Sequence, residues 1–465
     1  MQILQGLQSH QVLQRNTKNV CQICIRGKAA VAGILQMRVT KSGRLLQGFN
    51  YKPIAKVGNG AFCVWLTGVP VGGPYAISLR LVEPDGTALG NVMFDDILVG
   101  DVWILAGQSN MEGIGYLKDA ARPHSQTRAF YMDDHWAVAK DPIHQLDIAI
   151  DSVHTDINGG QPCTRAKHVG TGHGVAFGRQ MHEFTNVPQG LIACAHGGTS
   201  MSQWDPAMKK KGSASLYGAM LRRFVKNGSN VAGVVWYQGC SEGFDGVSQL
   251  YTGRMKKFVA AIRRDFANAR LPFVMVQIAG VYYPSFESNV RQIAENWNSV
   301  QEQQRKLPGV IERLAVVPAI DLAYDDSIHI SGADQQRLGR RLAEAMAVLI
   351  GGRKFGNKPI ELQSVRTVHN KLSGAIDIEV RFANVAGCLK AAGKPQGFYL
   401  VDSEGRVLEC IYRIDLVDSC AILRTNQTQI SQTLSLHYGF GLIPYCNIVD
   451  EAGRSMPVFG PVKCK

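Results

Sequence analysis

The sequence predicts an α/β protein in which a doubly wound parallel sheet lies between two β-rich segments. In residues 1–98, short apolar runs alternate with Gly, Pro, Asn and Asp, a pattern typical of a small β-sandwich. From Asp101 to residue 349, strand patterns alternate with helical patterns, which indicates parallel strands. Strand patterns return beyond Gly351-Gly352. We therefore expect three domains, over residues 1–98, 99–353 and 354–465.

The elements of the middle segment follow from the spacing of its apolar residues. Short, almost wholly apolar runs predict strands buried on both faces, over residues 102–106, 188–195, 231–237, 272–278 and 314–320. Longer runs with helical spacing predict helices over residues 175–184, 216–225, 247–266, 289–305 and 332–349. In the flanking segments, strands are predicted over residues 60–67, 74–82 and 376–382, and Pro84-Asp-Gly-Thr87 predicts a hairpin turn.

The composition is that of a globular protein, with 45% hydrophobic and 19% charged residues. No apolar run reaches the roughly 18 residues that a membrane-spanning helix needs, and the N-terminus lacks the basic and apolar regions of a signal peptide. The net charge of +13 comes from scattered Lys and Arg residues without a nucleic-acid-binding motif, so we expect no nucleic-acid partner. The eleven cysteines form no compact framework, and Cys21 and Cys24 are interpreted as strand residues.

Ser109 lies where the predicted strand over residues 102–106 gives way to small and polar residues. Gly107 is the expected exit from that strand, so Ser109 would lie at its carboxyl end. Ligands of open α/β sheets bind at that edge, which makes Ser109 a candidate nucleophile. The alternative is a plain strand-to-helix turn with Ser109 or Asn110 as an N-cap.

Three further segments follow predicted strands of the same domain and contain candidate partners for Ser109. Gly197-Gly198 follows the strand over 188–195, and paired glycines leave N–H groups free to bind an oxyanion. Gln238 ends the next strand, and its amide is a further candidate donor. Asp326 and His329 are three residues apart, a spacing that in a turn sets a carboxylate against an imidazole. A metal site that also uses Asp325 is the alternative, but other ligands at a convincing spacing are missing.

A competing nucleophile motif is present in Gly239-Cys-Ser-Glu-Gly243, which matches the G-x-S-x-G pattern of α/β-hydrolases. That motif requires Ser241 to lead straight into a helix. Here Phe244-Asp-Gly246 is expected to separate the serine from the next helical pattern, so we favour Ser109 over Ser241.

Four blocks, taken in order, resemble the sialate O-acetylesterase family of the SGNH-hydrolase superfamily: Gly107-Gln-Ser-Asn-Met111, Gly197-Gly-Thr199 followed by Trp204, Trp236-Tyr-Gln-Gly239, and Asp326-Ser-Ile-His329. The resemblance covers nearly the whole chain. It implies a three-layer α/β core flanked by β domains and an esterase that removes acetyl groups from sugar hydroxyls. It also implies a secreted or periplasmic protein, although this chain shows no signal peptide. Neither a metal nor a cofactor is required.

Carried over by position, the resemblance gives Ser109 as nucleophile, His329 as general base and Asp326 as the residue that orients it. The N–H groups of Ser109 and Gly198 and the side chain of Gln238 would stabilise the oxyanion. The substrate would be an acetylated carbohydrate. Trp136 and Trp204 are candidates for stacking on a sugar, with core packing as the alternative.

The chain departs from the family pattern after Gln238. The family usually has Gly-Glu there, whereas this chain has Gly239-Cys240, with Glu242 two positions later. The change is expected to affect how Gln238 is held or which sugar is recognised. It motivates an alternative function, a glycan-binding protein that keeps the fold without turnover.

Overall fold

The protein has a mixed α/β fold, as the sequence predicts. The structure is a computed structural model that describes residues 1–284, 287–431 and 433–464. Its chain divides into two compact units. The first unit contains Met1–Gly197, Gln203–Val235 and Phe258–Leu271, and the second contains Gly198–Ser202, Trp236–Lys257 and Pro272–Lys465. None of the helices in the described residues is long and apolar enough to span a bilayer.

The first unit is built mainly from strands. They are β1 (Gln2–Gln5), β2 (Val12–Gln14), β3 (Val20–Ala29), β4 (Gly33–Lys41), β5 (Arg44–Leu45), β6 (Lys52–Val57), β7 (Gly60–Pro70), β8 (Gly72–Val82), β9 (Ala88–Gly107), β10 (Gly115–Tyr116), β11 (Thr127–Phe130), β12 (Trp136–Val138), β13 (Val169–Thr171) and β14 (Gln189–Ala193). Its helices are α1 (Ser109–Glu112), α2 (Val153–Ile157), α3 (Gly174–Thr185) and α4 (Leu216–Lys226). Strand β15 (Gly233–Tyr237) begins in this unit and ends in the second.

The second unit combines helices with the C-terminal strands. Its helices are α5 (Cys240–Phe244), the first half of α6 (Tyr251–Asp265), α7 (Val290–Lys306) and α8 (Gly332–Gly351). Its strands are β16 (Phe273–Gln277), β17 (Leu314–Pro318), β18 (Glu361–His369), β19 (Ile376–Ala383), β20 (Leu389–Ala391), β21 (Phe398–Val401), β22 (Val407–Leu408), β23 (Ile411–Val417), β24 (Cys420–Thr425), β25 (Ser435–Tyr438), β26 (Ile448–Asp450) and β27 (Phe459–Lys463).

Strand β9 is the longest strand described and leads directly to Ser109. Its outer part pairs antiparallel with β8, up to Gly72↔Val99. Its inner part pairs in parallel with β14, from Gln189↔Asp101 to Ala193↔Leu105. The outer part is partly exposed, whereas residues 97–107 are all buried. The predicted strand over 102–106 is therefore too short, because the exposed outer part lacks the apolar run that marks the inner part.

Parallel pairing continues from β9 within the first unit. Strand β14 pairs in parallel with β11, and β12 pairs antiparallel with β11. The N–H of Ala232, just before β15, donates to the carbonyl of Val102 at 2.7 Å. The sequence did not predict β11, whose four residues are all buried. This arrangement brings the carboxyl ends of β9 and β14 to the same edge of the sheet.

In the second unit, β16 pairs in parallel with β17, from Phe273↔Leu314 to Gln277↔Pro318. The C-terminal strands form antiparallel pairs around a core that includes Ile378, Leu400, Leu436 and Phe459. Helix α8 follows the segment after β17. It begins where the side chain of Ser331 accepts the N–H of Asp334 at 3.2 Å, a hydrogen bond that satisfies one of the free donors at a helix N-terminus.

Candidate active site

Ser109 is the first residue of α1, and the residue before it, Gln108, occupies the N-cap position. The interpretation of Ser109 or Asn110 as an N-cap is therefore wrong. The side chains of Gln108 and Asn110 are 3% and 1% exposed, whereas Ser109 is partly exposed. Ser109 is thus the residue of this tight strand-to-helix turn that reaches the surface.

The loop after β14 is held against Ser109 by a buried carboxylate that the sequence did not single out. The N–H of Gly197 donates to Glu112 Oε2 at 2.5 Å. Glu112 also forms an ion pair with Arg165, whose guanidinium donates to the carbonyl of Gly113 at 2.7 Å. A Cβ on Gly197 would lie 2.9 Å from Glu112 Oε2 and 3.4 Å from Ser109 Cβ. Only glycine fits at position 197 without a shift of its neighbours.

His196 introduces a second buried contact into the same loop. Its N–H donates to the carbonyl of Gly107 at 3.0 Å, and its Nδ1 lies 2.9 Å from Nδ1 of His154. The two rings stack with their centroids 5.2 Å apart. Burial lowers the pKa of His154 to about 2 and that of His196 to about 4. Both rings are therefore neutral at pH 7, and one Nδ1 donates to the other. Neither contact has a signal in the sequence, because the partners come from distant segments.

In the second unit, Asp326 and His329 meet in the turn between β17 and α8, as their spacing predicts. Asp326 Oδ2 lies 2.6 Å from His329 Nδ1. The other oxygen, Oδ1, accepts the N–H groups of Ile328 at 2.8 Å and of His329 at 2.7 Å. The turn is closed by the N–H of Asp325, which donates to the carbonyl of His329 at 3.0 Å. Both the ring and the backbone of His329 are thus fixed by one carboxylate.

The electrostatics of this turn favour an ionised Asp326. Partial burial works to raise the pKa of the carboxyl, but the hydrogen bonds from the His329 ring and from the Ile328 and His329 N–H groups outweigh it, so the pKa is lowered. The His329 side chain is 18% exposed and that of Asp326 is 46% exposed. An ionised carboxylate at Nδ1 selects the imidazole tautomer whose Nε2 can accept a proton.

Gln238, which follows β15, is fully buried in the second unit. Its backbone carbonyl accepts hydrogen bonds from the Tyr251 hydroxyl at 2.9 Å and from Gln304 Nε2 at 3.0 Å. Its side-chain Nε2 donates to the carbonyl of Thr199 at 3.2 Å and, more closely, to Glu242. Within the described residues, its Oε1 has no hydrogen-bond partner. The amide therefore connects the loop after β14 with helix α5.

Glu242 lies at the centre of this network, a role that the sequence did not assign. It is 0% exposed, accepts the N–H of Met201 at 2.6 Å and lies 3.6 Å from Arg254. Burial raises its pKa, against the hydrogen bonds from Gln238 and Met201. Cys240 is also buried, and burial raises the pKa of its thiol to about 12. The acceptor beside Gln238 is therefore the carboxylate of Glu242.

Ser241 is the second residue of α5. The expectation that a non-helical stretch separates this serine from the next helix is wrong, because α5 begins at Cys240 and is too short to show a helical period. The helix nevertheless begins before Ser241, whereas α1 begins at Ser109 itself.

The candidate residues thus fall into three groups. Ser109 lies with Gly197 and Glu112 in the first unit, while Asp326 lies with His329, and Gln238 with Glu242, in the second. Gly198 belongs to the second unit and has a left-handed φ of 67°. The two tryptophans considered for sugar stacking are core residues, since Trp136 is 2% and Trp204 is 0% exposed.

Comparison with known proteins identifies related esterases. The chain is 28% identical over 269 residues to a "Probable carbohydrate esterase" from Arabidopsis thaliana, a match that covers 52% of this chain and 89% of that protein. It is 30% identical over 173 residues to the sialate O-acetylesterase of Homo sapiens, covering 31% of this chain and 32% of that protein. The chain thus matches about a third of the length of the human protein.

The fold also has a counterpart among solved structures. A carbohydrate acetylesterase from Xanthomonas citri matches with a TM-score of 0.69 at 20% identity, over 99% of this chain and 98% of that chain. The family model "Carbohydrate esterase, sialic acid-specific acetylesterase" matches residues 99–348, more than half of the chain. The family predicted from the sequence is confirmed, and this chain belongs to the sialic acid-specific acetylesterase family of carbohydrate esterases, which are carboxylic ester hydrolases.

Proposed function

We propose that this chain is a serine O-acetylesterase that removes acetyl groups from carbohydrates through a Ser-His-Asp triad. Ser109 is the nucleophile, His329 the general base and Asp326 the residue that orients the imidazole. The contact of 2.6 Å between Asp326 Oδ2 and His329 Nδ1 carries this proposal. It occupies Nδ1 as a donor and leaves Nε2 as the basic nitrogen.

The reaction proceeds in two steps. Ser109 Oγ forms a bond to the acetyl carbon while His329 Nε2 takes the hydroxyl proton. The C–O bond to the sugar then breaks, and the imidazolium returns the proton to the sugar oxygen. Water attacks the acetyl-enzyme with the same imidazole as base, and acetate leaves. The lowered pKa of Asp326 keeps its carboxylate charged, which stabilises the imidazolium in both steps.

The oxyanion of each tetrahedral intermediate is stabilised by the N–H groups of Ser109 and Gly198 and by the side chain of Gln238. Gly198 is favoured over Gly197 because the Gly197 N–H already donates to Glu112. Of the two Gln238 contacts, the one to Thr199 is the longer, at 3.2 Å. That N–H would exchange the Thr199 carbonyl for the oxyanion, whereas the Gly197 N–H is held by a carboxylate in a shorter contact of 2.5 Å. Each such donor contributes about 3 kcal/mol in the transition state.

The proposed framework is a three-layer SGNH-hydrolase-like core with a central parallel sheet in residues 99–353, flanked by β-rich domains over 1–98 and 354–465. The parallel pairs β11–β14, β14–β9 and β16–β17 support the central sheet. The antiparallel pairs β18–β19 and β21–β25 support the C-terminal domain.

The test is acetate release from O-acetylated sialic acid, acetylated xylan and acetylated monosaccharides. We expect the wild-type chain to release acetate from at least one of them and Ser109→Ala to lower kcat by at least about 10⁴-fold. Ser241→Ala serves as the matched control and should retain activity. Rapid quenching with ester substrate should place one acetyl group on the peptide that contains Ser109.

Loss of activity in Ser241→Ala together with an active Ser109→Ala would refute the assignment of the nucleophile. A wild-type chain that binds acetylated glycans but releases no acetate from any of them would refute the esterase and favour the glycan-binding alternative.

A further inference from the structure

The segment that follows strand β16 has no role in the proposed reaction. Strand β16 lies between β15 and β17 in the sheet, and the segments that follow those two strands do have roles. In the second unit, β15 ends next to Gln238, and β17 leads to the turn of Asp326 and His329. Strand β16 lies beside β17 in parallel register and leads through Ile278 to Tyr282. Because ligands of parallel sheets bind outside the carboxyl ends of the strands, this exit is where substrate contacts are expected.

Tyr282 is tied directly to the turn that contains the proposed base. Its N–H donates to the carbonyl of Ser327 at 2.7 Å. Its ring packs edge-to-face on Tyr324, with the centroids 5.7 Å apart and the planes at 85°. Ser327 lies between Asp326 and His329 in the chain. The backbone of Tyr282 is therefore fixed relative to the proposed base.

The Tyr282 side chain remains 53% exposed despite this anchoring. The preceding N–H, of Val281, donates to the carbonyl of Leu442 at 2.8 Å. The segment after Leu442 exposes two more apolar side chains, Ile443 at 47% and Tyr445 at 60%. An exposed aromatic ring on a fixed backbone offers a flat surface at low entropic cost to a ligand that has an apolar face.

We propose that Tyr282 binds the substrate by stacking on the pyranose ring that carries the acetyl ester. This inference rests on the proposed function. The C–H face of a pyranose is the apolar part of an otherwise polar substrate, so an aromatic ring can select the sugar while His329 acts on the ester. Of the exposed aromatic side chains in the described residues, Tyr282 is the one whose N–H is bonded within the Asp326–His329 turn.

The experiment compares an acetylated monosaccharide with ethyl acetate, an ester that has no ring to stack. We expect Tyr282→Ala to lower kcat/KM for the sugar ester about tenfold, mainly through KM, and to change kcat/KM for ethyl acetate less than about twofold. Tyr282→Phe keeps the ring and should behave as the wild type on both esters. Tyr412→Ala, which removes a tyrosine that is 64% exposed on β23, is the matched control and should change neither.

Equal losses on both esters in Tyr282→Ala would refute stacking, because they would indicate damage to the turn of Asp326 and His329. Unchanged kinetics on both esters would refute it as well. A loss in Tyr282→Phe as large as that in Tyr282→Ala would assign the effect to the hydroxyl instead of the ring. If the wild-type chain hydrolyses neither ester, the proposed function itself fails, and this inference fails with it.

Discussion

The orientation of the Gln238 amide depends on one residue, Glu242. An amide can be turned so that either its N–H groups or its oxygen face a given neighbour. The neighbours here are two acceptors, the carbonyl of Thr199 and the carboxylate of Glu242. Turning the amide over would set its oxygen against both of them. Glu242 therefore acts through Gln238, as a positioning residue for the proposed oxyanion donor.

Glu242→Gln should lower kcat about tenfold or more with little change in KM, because the new side chain can face Gln238 with either its oxygen or its N–H groups. In a Gln238→Ala background, the same substitution should have almost no further effect on kcat, since the residue that it positions is gone. The measurement is a double-mutant cycle on kcat for an acetylated sugar.

The matched control for this cycle is Glu344→Gln in α8. Glu344 also has a pKa raised by burial and also lies 3.6 Å from an arginine, Arg454. The substitution Glu344→Gln should leave kcat unchanged. Additive losses in the Glu242 and Gln238 variants would contradict the positioning role and indicate two independent effects.

Residue contacts differ in how far the sequence predicts them. The contact between Asp326 and His329 was predictable, because a turn brings residues three positions apart together. Glu112 and Arg165 lie 53 positions apart, and His154 and His196 lie 42 positions apart. No local period relates such pairs, so their contacts follow only from the fold.

The loop after β14 shows how one element depends on two glycines for different physical reasons. An added Cβ at Gly197 would have neighbours at 2.9 Å and 3.4 Å, whereas one at Gly198 would have none within 4 Å among the described residues. Gly198 instead has a left-handed φ of 67°. A side chain at position 197 is therefore excluded by lack of space, and a side chain at position 198 is disfavoured by the backbone conformation.

Gly197→Ala should lower kcat more than tenfold, because the new methyl group pushes the loop away from Glu112 and Ser109. Gly198→Ala should lower the free energy of unfolding by about 1 kcal/mol through left-handed strain, with a smaller effect on kcat. Urea unfolding and acetate release separate the two effects. Gly374→Ala, with a φ of 69° and equally open surroundings among the described residues, is the control for strain alone. A smaller loss of kcat in Gly197→Ala than in Gly198→Ala would contradict this assignment.

At the scale of elements, long helices were the most predictable features. Helices α4 and α8 were predicted to within two residues at either end, because each has many turns over which its period is visible. Strand β9 was predicted at only a quarter of its length, since its exposed and buried parts have different patterns. Strand β11 was missed because its four residues, which include a buried threonine and a buried arginine, form neither an apolar run nor a detectable period.

At the scale of the whole molecule, buried neutral histidines determine how the protein responds to acid. In the first unit, burial lowers the pKa of His144 to about 3, that of His154 to about 2 and that of His196 to about 4. In the second unit, burial lowers the pKa of His437 to about 4. Asp141 has the opposite effect on the stability in acid, since burial raises its pKa to about 8.

The sign of the effect follows from where protons bind. Between pH 6.5 and about 4, the four histidines take up protons in the unfolded chain but not in the folded protein, so stability falls as the pH falls. A shift from 6.5 to about 4 is equivalent to roughly 3 kcal/mol for each such histidine. The raised pKa values of Asp141, Glu242 and Glu344 recover part of this loss at low pH, but only the shift of Asp141 is large, and it opposes four imidazoles. Stability should therefore be greatest near pH 7 and decline steeply towards pH 4, with a gentler decline towards pH 8 as the folded protein loses the Asp141 proton.

We expect the free energy of unfolding, measured with urea at pH 7, 6 and 5, to decrease with each step. His437→Gln should reduce the slope between pH 6 and pH 5 by about one proton, because one titrating group is removed from the unfolded chain. His369→Gln removes an exposed histidine and is the matched control, which should leave the slope unchanged. The same slope in the wild type and in His437→Gln would show that His437 is protonated in the folded protein, contrary to the neutral state that its burial imposes.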